Sequence, residues 1–235
     1  MTSPSDHAND GDISPRRTQD IGWPVAAQRS SGVGSDAGPG VTDDERRPRL
    51  LLHVCCAPCS THVVQTLRGQ FDVTGHFYNP NIHPEGEYLH RAAEMEGYSG
   101  RTGLPLLVSR YDPDLWREAV RGLEDEPEGG RRCLVCYRLR LEETASVAKQ
   151  RGFAHFTTSL SVSPHKRADA INAVGREVAS RHGLEFYAAD FKKKDGFTQS
   201  LRLSREAGLY RQDYCGCVYS LEERLRSARK APGAE

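Results

Sequence analysis

Short apolar runs alternate with longer stretches of helical spacing along most of the chain. The run Leu50–Val54 is apolar except for His53, which is typical of a buried strand with a histidine in the core. The same criteria predict four further strands, at residues 71–78, 105–108, 156–162 and 185–189. Helices are predicted from about residue 61, over 87–97, from 113, over 136–149, from 164, over 197–207 and over 218–229. Five alternations of strand and helix predict an α/β fold with an open, mostly parallel five-stranded sheet and helices on both faces.

The N-terminal part of the chain lacks this pattern. Residues 1–47 are rich in Ser, Gly, Pro and Asp and show no apolar period. We therefore expect them to form a disordered tail. Residues 48–235 are long enough for one α/β domain and short for two, so a single domain is predicted there.

Charge and hydropathy say more about the cellular setting than about the chemistry. The 32 basic and 32 acidic residues cancel, so net charge gives no information about partners. No stretch approaches the roughly 20 apolar residues of a membrane span, and the N-terminus lacks the apolar core of a secretory signal. We therefore expect a cytoplasmic protein with no membrane partner, in a compartment where cysteines stay reduced.

All seven cysteines fall into three tight groups. The first group is Cys55, Cys56 and Cys59, the second is Cys133 and Cys136, and the third is Cys215 and Cys217, separated by Gly216. Cysteines that only pack in a core would be scattered singly, whereas close spacing in distant segments is typical of thiolates that converge on a metal. Zinc and an iron–sulfur cubane each take four thiolates, which leaves three for a second metal ion or a redox-active pair.

Other reactive side chains follow the predicted strands. The first cysteine group follows the first strand, Asn79 and His83 the second, Ser163 and His165 the fourth, and Asp190 the fifth. Because ligands of open α/β sheets bind beyond the carboxyl ends of the strands, we expect these residues to line one edge. His83 and Asp190 are candidates for metal ligation or proton transfer, although a turn histidine and a capping aspartate would have the same spacing.

Basic residues cluster around the cysteines and after Asp190, which predicts a surface for a phosphate backbone at this edge. They are Arg131, Arg132, Arg138, Arg140, Lys166, Arg167, Lys192, Lys193 and Lys194.

Five strings together resemble the QueH-type epoxyqueuosine reductases, in order, from about Leu51 to Ser220. The strings are LLHVCCAPCS (51–60), FYNPNIHP (77–84), RCLVCYRLRLEETA (132–145), FTTSLSVSPHK (156–166) and DFKKKDGFTQSLRLSREAGLYRQDYCGCVYS (190–220). The resemblance implies an enzyme that reduces epoxyqueuosine in tRNA to queuosine at the wobble position, without cobalamin. It also implies a fold like that of the nucleotide-binding ATP-pyrophosphatase-like domains, with the first cysteine group where those domains have a phosphate loop.

The resemblance further implies a [4Fe–4S] cluster with an adjacent mononuclear iron site, in which zinc is possible in the purified protein. An external electron donor such as a ferredoxin or flavodoxin must then reload the cluster, which passes one electron at a time. On this basis we expect Asp190 or His83 to supply a proton. The expected cluster ligands are Cys56, Cys133, Cys136 and Cys217. The expected ligands of the second metal are Cys55, Cys59, Cys215 and Asp190. The residues expected to bind tRNA are Arg131, Arg132, Lys192, Lys193 and Lys194.

Two other functions are compatible with the cysteine pattern. A zinc-stapled RNA-binding module without redox chemistry would be colourless and hold tetrahedral zinc. A thiol–disulfide oxidoreductase would use Cys55 with Cys56, or Cys215 with Cys217, and would work after chelation. Seven potential metal ligands in three groups argue against both of these functions, and more strongly against the second.

Overall fold

A computed structural model describes residues 47–230, so the predicted tail over 1–47 lies outside the described residues except for Arg47. The strands are β1 (Arg49–His53), β2 (Asp72–Phe77), β3 (Leu106–Val108), β4 (His155–Thr158) and β5 (Glu185–Phe186). The helices are α1 (Ala57–Leu67), α2 (Glu85–Thr102), α3 (Pro113–Ala119), α4 (Arg131–Gln150), α5 (Ala168–His182), α6 (Gly196–Glu206) and α7 (Val218–Lys230). Among residues 47–230, no helix is both long and apolar enough to cross a bilayer.

The five strands form one parallel sheet in the order β3-β2-β1-β4-β5, which confirms the predicted fold class. The central strand β1 pairs with β2 on one side and with β4 on the other. From β1 the chain adds β2 and β3 on one side of the sheet and then β4 and β5 on the other side. The order in which strands are added therefore reverses between β1 and β4. In open α/β sheets, the crevice at such a switch point is where ligands bind.

Alternate residues of β1 point into two separate apolar cores. Leu50 and Leu52 pack with α1 and α2 on one face, and Leu51 packs with α4 and α5 on the other. All three leucines are fully buried, as expected for a central parallel strand covered on both faces. The helices therefore cover both faces of the sheet, as the sequence predicts.

Two of the helix starts that differ from the prediction place cysteines on helices. Helix α1 begins at Ala57 and not near Thr61, with Pro58 in its first turn, where a missing N–H costs nothing. Helix α4 begins at Arg131 and not at Cys136, and the extended backbone of Gly130 caps it. The second cysteine group therefore lies within the first two turns of α4, one turn apart on the same side.

The last two predicted strands are shorter than expected. The segment predicted as a strand over 156–162 leaves the sheet at Thr158, whose Oγ1 accepts a hydrogen bond from Leu160 N (3.2 Å) and starts a 3-10 helix over Ser159–Val162. The helix predicted from Pro164 begins only at Ala168. These changes leave residues 159–167 as a connection at the carboxyl edge of the sheet.

Candidate metal centre

The first cysteine group lies where β1 ends and α1 begins. The Sγ atoms of Cys55, Cys56 and Cys59 lie within 4.8 Å of one another, and those of Cys55 and Cys56 are 3.9 Å apart. Two thiolates on one tetrahedral ion at about 2.3 Å would be about 3.8 Å apart. The donor set and its spacing therefore fit a single metal ion.

The three thiols of the first group share one negative charge. Thiol donors on Cys56 and Cys59 lower the pKa of Cys55 well below its usual value, with help from Arg140 and Ser159. The thiolate at Cys55 in turn raises the pKa of Cys56 to about 12, and it raises the pKa of Cys59 well above its usual value. Further ionisation of this group needs a cation, which is what a bound metal provides.

The second and third cysteine groups meet across a narrow cavity. Cys133 and Cys136 line it from α4, and Cys215 and Cys217 line it from the segment before α7. The Sγ atoms of Cys215 and Cys217 are 3.7 Å apart. Together with the first group, these contacts divide the cysteines into a set of three and a set of four.

Gly216 makes the tight path of the third group possible. Its φ of +120° lies in a region that side chains rarely adopt. A Cβ atom at this position would also lie 2.9 Å from Ile82 Cγ1. The backbone carbonyl of Gly216 accepts a hydrogen bond from His83 N (2.7 Å), which ties the third group to the turn after β2.

Polar groups surround the cysteine sulfurs and fix their positions. Ser159 Oγ lies 3.4 Å from Cys55 Sγ, and Gln212 Nε2 donates to Cys56 Sγ at 2.9 Å. Ser220 Oγ lies 3.1 Å from Cys215 Sγ. The pKa of Cys215 falls well below its usual value, because the thiol of Cys217 donates a hydrogen bond to it and Lys166 lies near it. Burial has the opposite effect on Cys133 and Cys136, whose pKa values are raised.

Arg140 is a buried cation next to both cysteine sets. Its side chain is 3% exposed, and it donates to Asn79 Oδ1 and, at 3.3 Å, to His53 Nε2. Within residues 47–230, no carboxylate oxygen lies within 4.0 Å of this guanidinium. Its positive charge helps to lower the pKa of Cys55, and it only partly opposes the burial that raises the pKa of Cys136. The thiolate of Cys55 therefore takes the place of the usual carboxylate partner.

His53 is the core histidine that the sequence predicts. It is fully buried, and its Nδ1 lies 2.8 Å from Thr158 Oγ1. Burial lowers its pKa well below the usual value, so the ring is neutral.

Asp190 and His83 follow strands β5 and β2, and neither joins a ligand group. Asp190 follows β5 and forms an ion pair with Lys192 (3.0 Å). It is not part of the three-thiol group, which is the one set of three close ligand atoms found in residues 47–230. The backbone carbonyl of His83 accepts from Tyr214 Oη at 2.5 Å, so His83 is anchored beside the third cysteine group through its main chain.

The basic residues predicted to bind tRNA divide by exposure. Lys193 and Lys194 are exposed, Lys192 is partly buried, and Arg131 is exposed with a partner in Glu126 (2.6 Å). Arg132 does not fit the prediction that it contacts tRNA. Its side chain is 2% exposed, and its guanidinium donates to the backbone carbonyls of residues 123, 124 and 126. It anchors the loop before α4 and leaves no free face for a phosphate.

Sequence reasoning missed several residues of the site or gave them another role. Gln212, Ser159 and Ser220 belong to no spacing pattern, since a single hydroxyl or amide becomes significant only when the fold brings it to a sulfur. Lys166 and Arg140 were predicted as part of a phosphate surface. Glu143 follows Arg140 by three residues, the spacing of an ion pair on an exposed helix face, so the local sequence gives no signal for the buried role of Arg140.

Comparisons with known proteins agree on one family. The family model described as "Epoxyqueuosine reductase QueH" matches residues 50–223. The epoxyqueuosine reductase QueH of Streptococcus pyogenes serotype M1 is 44% identical over 74% of this chain and 71% of its own. The proteins of the same name from Acinetobacter baylyi and Staphylococcus epidermidis are 41% and 38% identical, over 76% and 75% of this chain and 83% and 78% of theirs.

Among solved structures, a predicted subunit of a tRNA methyltransferase from Methanocaldococcus jannaschii is similar over 65% of this chain and 74% of its own, with 12% identity and a TM-score of 0.45. The family model, over residues 50–223, covers all three cysteine groups and every strand of the sheet except Arg49, the first residue of β1. The chain therefore belongs to the QueH family of epoxyqueuosine reductases.

Proposed function

We propose that this protein is a cobalamin-independent iron–sulfur epoxyqueuosine reductase, which acts on tRNA in the cytoplasm and converts epoxyqueuosine to queuosine at the wobble position. The observation that carries the proposal is the convergence of all seven cysteines into two neighbouring sets at the carboxyl edge of the sheet. Membership of the QueH family supplies the reaction and the substrate. Lys166 and Arg140 lie beside both sets, as expected where thiolate charge must be balanced.

The reaction defines what the site must provide. Removal of the epoxide oxygen takes two electrons and two protons, forms a carbon–carbon double bond and releases water. A bound [4Fe–4S] cluster would supply the electrons one at a time, and an adjacent iron would act as a Lewis acid on the epoxide oxygen. An external donor such as a ferredoxin or flavodoxin would reload the site. Asp190 and His83 are our candidates for proton delivery.

We divide the ligands by their contacts in the fold. The three-thiol group of Cys55, Cys56 and Cys59 suits a single ion, since its spacing fits one tetrahedral centre. The four cysteines around the narrow cavity then suit the cluster. This division exchanges Cys56 and Cys215 relative to the ligand sets expected from the sequence, and it leaves Asp190 as a fourth ligand candidate for the single ion.

The exchanged pair provides a direct test of the ligand sets. In the proposed division, anaerobically prepared Cys215→Ala loses the Mössbauer signal of the cubane, while Cys56→Ala keeps it and loses only the signal of the single iron. The opposite result, with the cubane lost in Cys56→Ala and kept in Cys215→Ala, would restore the division expected from the sequence. The comparison is well matched, because each variant removes one thiol.

Metal analysis tests the function as a whole. Protein purified without oxygen should be brown, with about four or five irons and acid-labile sulfide per chain. It should also reduce epoxyqueuosine in a tRNA substrate when an electron donor is supplied. A colourless protein that holds zinc, contains no sulfide and has no reductase activity would contradict the proposal. That result would favour the zinc-stapled RNA-binding module, because three close thiols also suit zinc.

A further inference from the structure

An open cleft of about 530 Å³ lies next to the cysteine sets. Its walls are the connection that leads from the 3-10 helix into α5 and the segment that follows β5. The cleft is therefore at the carboxyl edge of the sheet, where parallel α/β folds bind ligands. Its polar lining includes Lys166, Arg167, Asn172, Asp190, Lys192 and Lys193.

Lys166 connects the cleft to the cysteines. Lys166 lines both the open cleft and the narrow cavity of the second and third cysteine groups. Its backbone is held on both sides, since Lys192 Nζ donates to its carbonyl (3.2 Å) and its N–H donates to Ser163 O (3.3 Å). The cleft and the cysteine cavity therefore share Lys166 as a wall residue.

The cleft carries an excess of positive charge. Asp169 pairs with Arg167 at 2.6 Å and Asp190 pairs with Lys192 at 3.0 Å. Within residues 47–230, neither Lys166 nor Lys193 has a carboxylate oxygen within 4.0 Å. Lys166 faces the thiolates, so Lys193 is the ammonium that remains for an anion from solvent.

We propose that this cleft binds one nucleotide of the RNA substrate, with its phosphate at Lys193 and its base directed past Lys166 toward the cysteines. The inference rests on the proposed function and adds the place where the nucleotide enters. The volume lies within the roughly 300–1,000 Å³ of small-molecule sites. Enzymes that act on a base take it out of the stack into a pocket, and Lys or Arg contacts to phosphate fix the register.

A second exposed lysine provides a matched test. Lys193 and Lys149 are both exposed, but Lys193 lines the cleft, whereas Lys149 lies at the end of α4 and does not line it. We would measure the affinity of the metal-loaded full-length protein for a fluorescent anticodon stem–loop across a series of salt concentrations. Lys193→Gln should weaken binding roughly tenfold and reduce the slope of log K against log salt by about 0.7, as for one lost phosphate contact in a single strand. Lys149→Gln should change affinity less than about twofold.

The possible outcomes test the nucleotide cleft and the reductase reaction independently. Equal losses in the two variants, or no loss in Lys193→Gln, would overturn the proposal. If millimolar inorganic phosphate alone displaces the stem–loop from both wild type and Lys149→Gln, the cleft is an adventitious anion site without preference for RNA, and the proposal is overturned. An unchanged KM for epoxyqueuosine stem–loop in Lys193→Gln would reject the cleft while the reductase function stands. If wild type lacks reductase activity but the two variants differ in RNA affinity, the reaction fails and the nucleotide cleft is retained.

Discussion

At the scale of single residues, Arg140 shows how a buried charge shapes the chemistry of the site. A guanidinium removed from water needs a counter-ion, and in residues 47–230 the thiolate of Cys55 is the anion that lies near Arg140. The same charge favours ionised sulfur, which is the form that binds metal. Arg140 would therefore act on a bound metal through the sulfur ligands, without a contact to the substrate.

Replacement of Arg140 should weaken metal binding. We expect Arg140→Met to lower the affinity for Co²⁺, measured by competition with a chromogenic chelator, by about tenfold or more, as for other partners that orient ligands. Arg140→Lys should recover part of the loss because it keeps the charge. Arg138→Met is the matched control on the same helix, since Arg138 lies near the surface and pairs with Glu177. Equal losses at the two positions would mean that Arg140 only stabilises the helix.

The shared charge of the first cysteine group predicts a steep pH dependence of metal binding. Cys55 is ionised first, while Cys56 (pKa about 12) and Cys59 keep their protons at neutral pH. A metal that binds all three must displace about two protons, so its affinity rises as pH rises between 6 and 8, by about two log units per pH unit. Calorimetry in buffers of different ionisation enthalpy would count the protons directly. A pH-independent affinity would contradict the shared charge.

At the scale of elements, the sequence predicts the type and order of nearly every strand and helix, and it fails where side chains decide the ends. Apolar runs identify β1 and β2 because both faces of the sheet are covered. The run over 156–162 looks like one strand, but the hydroxyl of Thr158 caps a 3-10 helix within it. The position of Cys133 likewise depends on a helix start. Helix α4 begins more than one turn before the residue that its apolar pattern predicts, and Cys133 therefore lies on the helix together with Cys136.

The turn at Gly216 should be more sensitive than other left-handed glycines. Gly216→Ala adds a Cβ that meets Ile82 and also strains the backbone at φ +120°. We expect a loss of about 1–3 kcal/mol in the free energy of unfolding and a loss of the thiolate charge-transfer band of bound Co²⁺ from the third group. Gly208→Ala is the matched control, because Gly208 has φ +61° and no atom within 4 Å of its added Cβ. A control that loses as much stability as Gly216→Ala would show that backbone strain alone explains the effect.

At the scale of the whole molecule, the two apolar cores on either side of the sheet hold the fold largely without the metal site. They contain the leucines of β1 and the inner faces of four helices. A third, smaller cluster joins Trp116 and Val120 to Cys136 and Cys217. The sequence predicts the two large cores from periodicity, whereas the small cluster combines residues from α3, α4 and the third cysteine group and has no local pattern.

Metal removal should therefore loosen the small cluster and leave the sheet intact. After chelation and dialysis we expect the far-UV circular dichroism to stay nearly unchanged and unfolding to remain cooperative, unlike a zinc finger, which unfolds without its metal. Trp116 fluorescence should change, and a Trp23→Phe background would make Trp116 the single tryptophan. A chelated protein without a thermal transition would show that the metals are part of the folding core.

The distribution of the cysteines along the chain also determines when the centre can be built. The first group follows β1, but the third group lies beyond β5, after every strand of the sheet. Because a domain generally folds as a unit, the sulfurs come together only when the last part of the domain has been made. A metal or cluster that needs all three groups would therefore be inserted late in maturation, into a complete chain. Until then the early thiols would be open to stray metals and oxidants.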